Sequence, residues 1–184
     1  PPRSTQGVSS AASDVYKRQI KYSNSFICLS DPITLMKSCK NNVEINGSRK
    51  AHLVDGIALT KFIHWLENEV DGTKNNYTEI SLARKLLNFR KRNKDFKGLS
   101  FGTISSLGSN GAVIHYQPEK ETDKDLSDND IYLLDSGGQY KFGTTDVTRT
   151  ILNKRDKKPK DFNEISNNYT LVLKGHIAVA AVSY

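Results

Sequence analysis

The chain has 184 residues, 36% of them hydrophobic, with a mean hydropathy of −0.56, and no run approaches the roughly 18–20 apolar residues a membrane-spanning helix needs. This length accommodates one ordinary domain with a core. The formal charge is +7, but the Lys and Arg are dispersed, with short runs only at Arg90–Lys94 and Lys154–Lys160 and no interleaved aromatics; a solvated surface is expected, not a nucleic-acid interface.

Residues 1–19 are rich in Ser, Ala and Gln and carry no apolar period, unlike the Lys/Asn/Ile-rich remainder. They are set aside as a non-native-looking or disordered segment. The two cysteines, Cys28 and Cys39, have neither the spacing of a metal knuckle nor that of a disulfide framework. Free thiols in a reducing compartment are expected. No secretory signal pattern opens the chain, so the default location is the cytoplasm.

From Glu44 to about Val70, Val54, Ala58, Phe62 and Leu66 recur every four residues, and Ile57 and Trp65 widen the stripe. That period predicts an amphipathic helix, ended by Asp71-Gly72. Thr78 is a suitable N-cap for a second helix from Glu79 to about Asn93, with Ile80, Ala83, Leu86 and Leu87 as its apolar face. Arg90, Lys91 and Arg92 lie at its C-terminal end, where the helix dipole favours cations. After Gly98 short apolar runs alternate with glycines. Ala112–Tyr116 reads as a buried strand, Ile131–Leu134 as a second and Thr144–Leu152 as a third. Asp161 and Glu164 resemble the start of a capping box for a last helix with Ile165, Tyr169, Val172 and Leu173 on its apolar face. Helices, then strands, then a helix predict an α+β domain.

The segment IYLLDSGGQYKFGTTDVTRTI, Ile131–Ile151, carries the chemistry. Two strands joined through a short glycine-containing connection should pair antiparallel. Folding the hairpin about Tyr140 and Lys141 sets Asp135 and Asp146 directly opposite, with Cβ atoms about 4.5–5.5 Å apart on one face. Two carboxylates so placed repel unless divalent cations neutralise them. By spacing alone two aspartates eleven residues apart are an unspecific pattern, equally consistent with one turn and one surface aspartate.

The string DSGGQY followed by GTTDVTRT closely resembles the first metal-ligand motif of the aminopeptidase P family, among the pita-bread-fold metallopeptidases. The similarity extends outward through SRKAHLVDGIALTKFIHWLE (Ser48–Glu67), NGAVIHY (Asn110–Tyr116), LVLKGHIAVA (Leu171–Ala180) and the junction Lys37–His52, covering roughly residues 30 to 180. It implies the N-terminal half of a pita-bread fold, an antiparallel sheet with covering helices, with residues 20–42 as the tail of a preceding domain and linker and 43–184 as a partial catalytic domain truncated at its C-terminus. Asp135 would bind one metal ion, Asp146 would bridge two, and His115 would position the substrate. Two divalent ions, Mn²⁺ by resemblance, would serve a hydrolase that releases the N-terminal residue from peptides with proline second. Peptides are thus the expected partners, with neither nucleic acid nor membrane, and the resemblance is compatible with a homodimer of the full-length protein. His52, His64 and His176 are expected to be structural or peripheral. Gly102 and Ser109 stand where the family often has proline. The family's remaining ligands, one His and two Glu, would lie beyond Tyr184, so the chain alone is expected to be inactive. Prolidases and creatinases share the aspartate pair but fit the string less well, and a metal-free binding module of this fold would be expected to have lost the ligands.

Overall fold

The computed structural model describes residues 31–68, 70, 77–127, 131–153 and 161–182. Residues 1–19, Cys28, the expected stop at Asp71-Gly72 and the basic run Lys154–Lys160 lie outside the described residues. The chain divides into two units, Pro1–Lys40 and Asn41–Tyr184. In the first, a short helix α1 (Pro32–Ser38) is capped by Asp31, whose Oδ1 accepts the Ile33 N–H at 2.9 Å. Cys39 follows, exposed and free.

The second unit opens with α2 (Asn42–Asn68). Its start is set by a reciprocal cap: the Asn41 N–H donates to Glu44 Oε2 and the Glu44 N–H to Asn41 Oδ1, at 2.8 and 2.9 Å. The buried stripe of α2 is Ala51, Asp55, Ala58, Leu59, Phe62, Trp65 and Leu66, which confirms the period but moves its edge. Ile57, expected in the stripe, is half exposed, and an aspartate lies inside it.

Helix α3 (Glu79–Lys91) begins at the expected cap. Thr78 Oγ1 accepts the Ser81 N–H at 3.2 Å and Ser81 Oγ accepts the Thr78 N–H at 2.7 Å. Its fully buried positions are Glu79, Leu82, Leu86 and Arg90, so its core face is rotated from the expected one and carries a charge at each end. The run from Arg90 is therefore not a uniformly solvated surface. Arg90 is buried, and Arg92 stacks over Phe89 at 4.8 Å.

Among the described residues six strands form two antiparallel three-stranded sheets, β1–β4–β5 and β2–β3–β6, from β1 (Phe96–Leu99), β2 (Ile104–Leu107), β3 (Ile131–Ser136), β4 (Gly138–Tyr140), β5 (Gly143–Thr144) and β6 (Val147–Leu152). Along β3 the side chains alternate. Tyr132, Leu134 and Ser136 are buried, and Tyr132 and Leu134 join Leu59, Phe62, Leu66, Leu82, Leu86 and Leu107 in one core. Ile131, Leu133 and Asp135 project to the other face. The last helix, α4 (Phe162–Ala180), follows Asp161, which makes no side-chain cap bond, and Tyr169, Val172 and Leu173 are exposed instead of packed.

Ala112–Tyr116 is not a strand. A 3₁₀ turn spans Gly108–Ala112, and the Tyr116 N–H then bonds back to the Val113 carbonyl at 3.2 Å. Apolar content misleads here because a strand needs a ladder, and among the described residues none lies beside 113–116. Val113 and Ile114 are left exposed. The domain remains α+β, as expected.

A buried ion pair ties the helices to the sheets. Arg90 Nε and Nη2 donate to the two Asp55 oxygens at 2.7 and 3.0 Å, and Nη2 also to Ser136 Oγ at 3.1 Å. The Tyr140 hydroxyl donates to Asp55 Oδ1 at 2.7 Å. Burial alone would raise the Asp55 pKa, but the fork and charge of Arg90, with the Tyr140 hydroxyl, hold it below the usual carboxylate range.

Candidate metal centre

The hairpin that carries both aspartates is one long ribbon bent in the middle. Asp135 pairs with Thr148 and Ser136 with Val147 in one sheet; Gln139 pairs with Thr144 and Tyr140 with Gly143 in the other. A single register runs through the bend, and continuing it sets Asp146 across from Gly137. The turn is thus centred on Lys141 and Phe142, not on Tyr140 and Lys141. Asp146 is a diagonal neighbour of Asp135, not its direct partner. Because side chains alternate with period two, this slip keeps both aspartates on the same face. Diagonal pairs are still within reach of one another's side chains.

The bend is what brings them close. At Gly137 a Cβ would collide with the Thr145 carbonyl and with Ser100 Oγ, so only glycine lets the two halves of the ribbon approach. Ser100 fastens the crossing from below: its N–H donates to the Gly137 carbonyl at 3.1 Å and its hydroxyl to the Thr145 carbonyl at 2.8 Å. The Gly138 N–H donates to Thr145 Oγ1 at 2.9 Å. Thr145 is fully buried by these contacts, and Asp146, next in sequence, is exposed.

Asp135 is partly buried, and its Oδ1 is enclosed with no hydrogen-bond partner. Burial raises its pKa; the Thr148 hydroxyl works against that, the neighbouring Asp146 carboxylate raises it further, and the nearby His115 draws it down. Both Asp146 and His115 are thus near enough to act on the charge of Asp135, although His115 comes from a turn and not from a strand end. His115 is exposed and has φ +57°, the left-handed region that costs a non-glycine residue about 1 kcal/mol or more. Such strain persists only where the surroundings impose it.

A half-enclosed carboxylate with an unpaired oxygen, set against a second carboxylate, is a donor set that fits a divalent cation. The described residues hold no group of three or more His, Cys, Asp and Glu side chains placed to bind a metal. The other histidines lie elsewhere. His52 Nδ1 is 2.9 Å from the Ser48 carbonyl on its own helix, His64 faces Asn68 at 3.2 Å, and His176 is exposed on α4. Sequence reasoning does not single out Thr148, which takes the position opposite Asp135 that the expected register gave to Asp146, nor Ser100. The register error hides the first. For the second, no local signal in the sequence points across to Thr145.

Among the described residues no helix is long and apolar enough to cross a membrane.

Comparison with known proteins matches residues 46–183 to the model of metallopeptidase family M24. A probable Xaa-Pro aminopeptidase P of Podospora anserina is 48% identical over 157 residues, which is 83% of this chain and 22% of that protein. Xaa-Pro aminopeptidase ApepP of Drosophila melanogaster is 44% identical over 153 residues, 83% of this chain and 24% of its own length. Among solved structures, the X-prolyl aminopeptidase of Caenorhabditis elegans, described as a cytosolic enzyme with a di-nuclear active site, aligns with a TM-score of 0.64 at 40% identity, over 72% of this chain and 21% of that one. The chain therefore spans less than a quarter of the length of these relatives, and its α+β architecture is that of part of their pita-bread catalytic domain.

Proposed function

The chain belongs to metallopeptidase family M24, and on that footing we propose that it is the first half of the catalytic domain of an Xaa-Pro aminopeptidase, a hydrolase that releases the N-terminal residue of peptides with proline second. The observation that carries this is the pair Asp135 and Asp146 on one face of the bent hairpin, with an unpaired Asp135 oxygen and His115 alongside. Residues 43–184 are assigned to that domain, 20–42 to the end of a preceding one, and 1–19 to neither. A cytoplasmic location and a homodimer of the full-length protein belong to the same proposal.

Asp135 would hold one divalent ion and Asp146 would bridge two, with Mn²⁺ as the metal. Such ions, when bound, lower the pKa of water and polarise a carbonyl oxygen. What this chain's own residues contribute is placement. The Gly137 crossing sets the distance between the carboxylates. Thr148 orients Asp135 from across the ladder. His115, on a turn that projects into solvent, would hold the substrate beside the pair.

Two carboxylates are too few donors to fix a two-metal site, so the 184-residue chain alone is expected to be inactive. The test uses a chain extended to the length of its relatives, with a short peptide bearing proline in second position and a matched peptide bearing alanine. Release of the first residue should require proline and should vanish in Asp146→Ala. Equal release from both peptides, or full activity in Asp146→Ala, would refute the proposal.

A further inference from the structure

The segment that presents His115 has no strand on either side, yet it is held at both feet by one side chain. Glu79, the first residue of α3, is fully buried. Its carboxylate accepts from the Leu107 N–H at 2.6 Å, from Asn110 Nδ2 at 2.9 and 3.1 Å, from the Tyr116 hydroxyl at 2.6 Å and from the Lys124 N–H at 3.3 Å. These donors mark the places where the chain leaves β2, turns, passes His115 and returns. Asn110 Nδ2 also donates to Tyr116 Oη at 2.8 Å and to the Thr122 carbonyl at 3.1 Å, which ties the outgoing and returning limbs together. All the donors are neutral. The nearby Lys124 ammonium is engaged by Ser109 Oγ at 2.6 Å. A carboxylate at a helix N-terminus is itself favoured by the helix dipole.

Between these anchors Val113, Ile114 and His115 are exposed and make no ladder. A stretch so thinly supported would ordinarily be among the first parts of a fold to open. The left-handed backbone at His115 must therefore be imposed from its neighbours, and the nearest anchored one is Tyr116.

We infer that Glu79 is the positioning residue for His115: its buried carboxylate fastens both feet of the 107–124 segment so that the imidazole meets the Asp135–Asp146 pair in one orientation. This rests on the proposed role of His115 in holding substrate. Glutamate is required over glutamine because a carboxylate can accept all of these hydrogen bonds. An amide has one acceptor oxygen and would point an NH₂ group at donors. The role is one of placement, since Glu79 is fully buried and its carboxylate is taken up by Leu107, Asn110, Tyr116 and Lys124.

The test measures order and coupling separately. In the isotopically labelled 184-residue chain, the His115 backbone amide should have an order parameter near about 0.85, falling below about 0.6 in Glu79→Gln, with α2 amides unchanged. Tyr116→Phe, which removes one anchor and keeps the carboxylate, should give an intermediate value and serves if Glu79→Gln does not fold. In a chain extended to the length of its relatives, Glu79→Gln should lower kcat/KM by on the order of a hundredfold and Tyr116→Phe by a smaller factor. Either should have no further effect in a His115→Ala background, because both changes act through one group. An unchanged His115 order parameter, or additive effects on kcat/KM, would overturn the inference. If His115→Ala leaves turnover intact while Glu79→Gln still loosens His115, the clamp stands and the substrate-holding role of His115 is what fails.

Discussion

Removing Arg90 tests how the two helices are tied to the sheets. In Arg90→Met the side-chain volume is roughly kept, but Asp55 loses both of its charge-assisted bonds, at 2.7 and 3.0 Å, and Ser136 loses its donor. Asp55 is 1% exposed, so water cannot replace them. Breaking a buried pair by removing one partner costs about 3–5 kcal/mol, a large part of the roughly 5–15 kcal/mol that holds a domain folded. For a chain of this size that is a fall in Tm of about 10 °C. The pH dependence identifies the cause. In the parent, Asp55 has a folded pKa below its unfolded value of about 3.9; its contribution is fully present above that value and is lost as pH falls through the folded pKa. In Arg90→Met the guanidinium's opposition to burial is gone and only the Tyr140 and Thr145 hydroxyls still work against it, so the folded pKa rises and protonation relieves the variant as pH falls. The gap between parent and variant, measured by urea unfolding followed by circular dichroism, should therefore be widest near pH 7 and should narrow towards pH 3. Asp55→Leu combined with Arg90→Met should recover much of the loss. A cost below about 1 kcal/mol, or a gap independent of pH, would refute the argument that this pair is an electrostatic tie.

Thr78→Ala removes the cap of α3 and should cost about 1 kcal/mol in urea unfolding at any pH where the protein is folded. Gly137→Ala pushes a Cβ into the Thr145 carbonyl; it should both lower Tm and weaken Mn²⁺ binding in calorimetric titration, and an unchanged affinity would show that the crossing does not set the carboxylate spacing. Asp135→Asn removes the charge that Asp146 opposes and should raise the Tm of the metal-free protein. Added Mn²⁺, which stabilises the parent in proportion to its binding, should then have no effect on Tm, and a retained Mn²⁺ shift would locate the metal elsewhere.

Much of the fold was legible because local signals and tertiary packing agree. The 3.6 period of α2, the Thr78 cap of α3 and the short apolar run of β3 each have one physical solution. The errors share a different cause: polar groups that act at long range. Arg90 looks like a dipole-favoured cation at a helix end, and only the fold reveals Asp55 facing it. Ala112–Tyr116 looks like a strand, and only the fold reveals Glu79 gathering Leu107, Asn110 and Tyr116 into a coil. The turn of the hairpin is displaced because Tyr140 is buried with its hydroxyl on Asp55, which pulls Tyr140 into β4 and moves the reversal to Lys141 and Phe142. A displacement by an even number of residues preserves faces, so the corrected register still sets Asp135 and Asp146 on one side of the ribbon, and His115 belongs to a coil instead of the expected strand.

The carboxylates of Asp55, Glu79 and Asp135 contrast structural with chemical roles. Asp55 meets a guanidinium fork and a hydroxyl, and its pKa is held down. Glu79 meets neutral donors on both oxygens. Asp135 meets another carboxylate and leaves one oxygen unpaired, and its pKa is raised. A fold gains nothing from enclosing a group in that third way, since an unpaired buried acceptor costs about 1–3 kcal/mol. The first two satisfy themselves from within the protein, so substituting them should be felt as lost order. The third leaves an acceptor that a positive charge from outside would satisfy, and the proposed divalent cation would supply that charge to both aspartates at once. The unpaired oxygen of Asp135 and the sequence string around it are thus two separate lines of support for the proposed metal site.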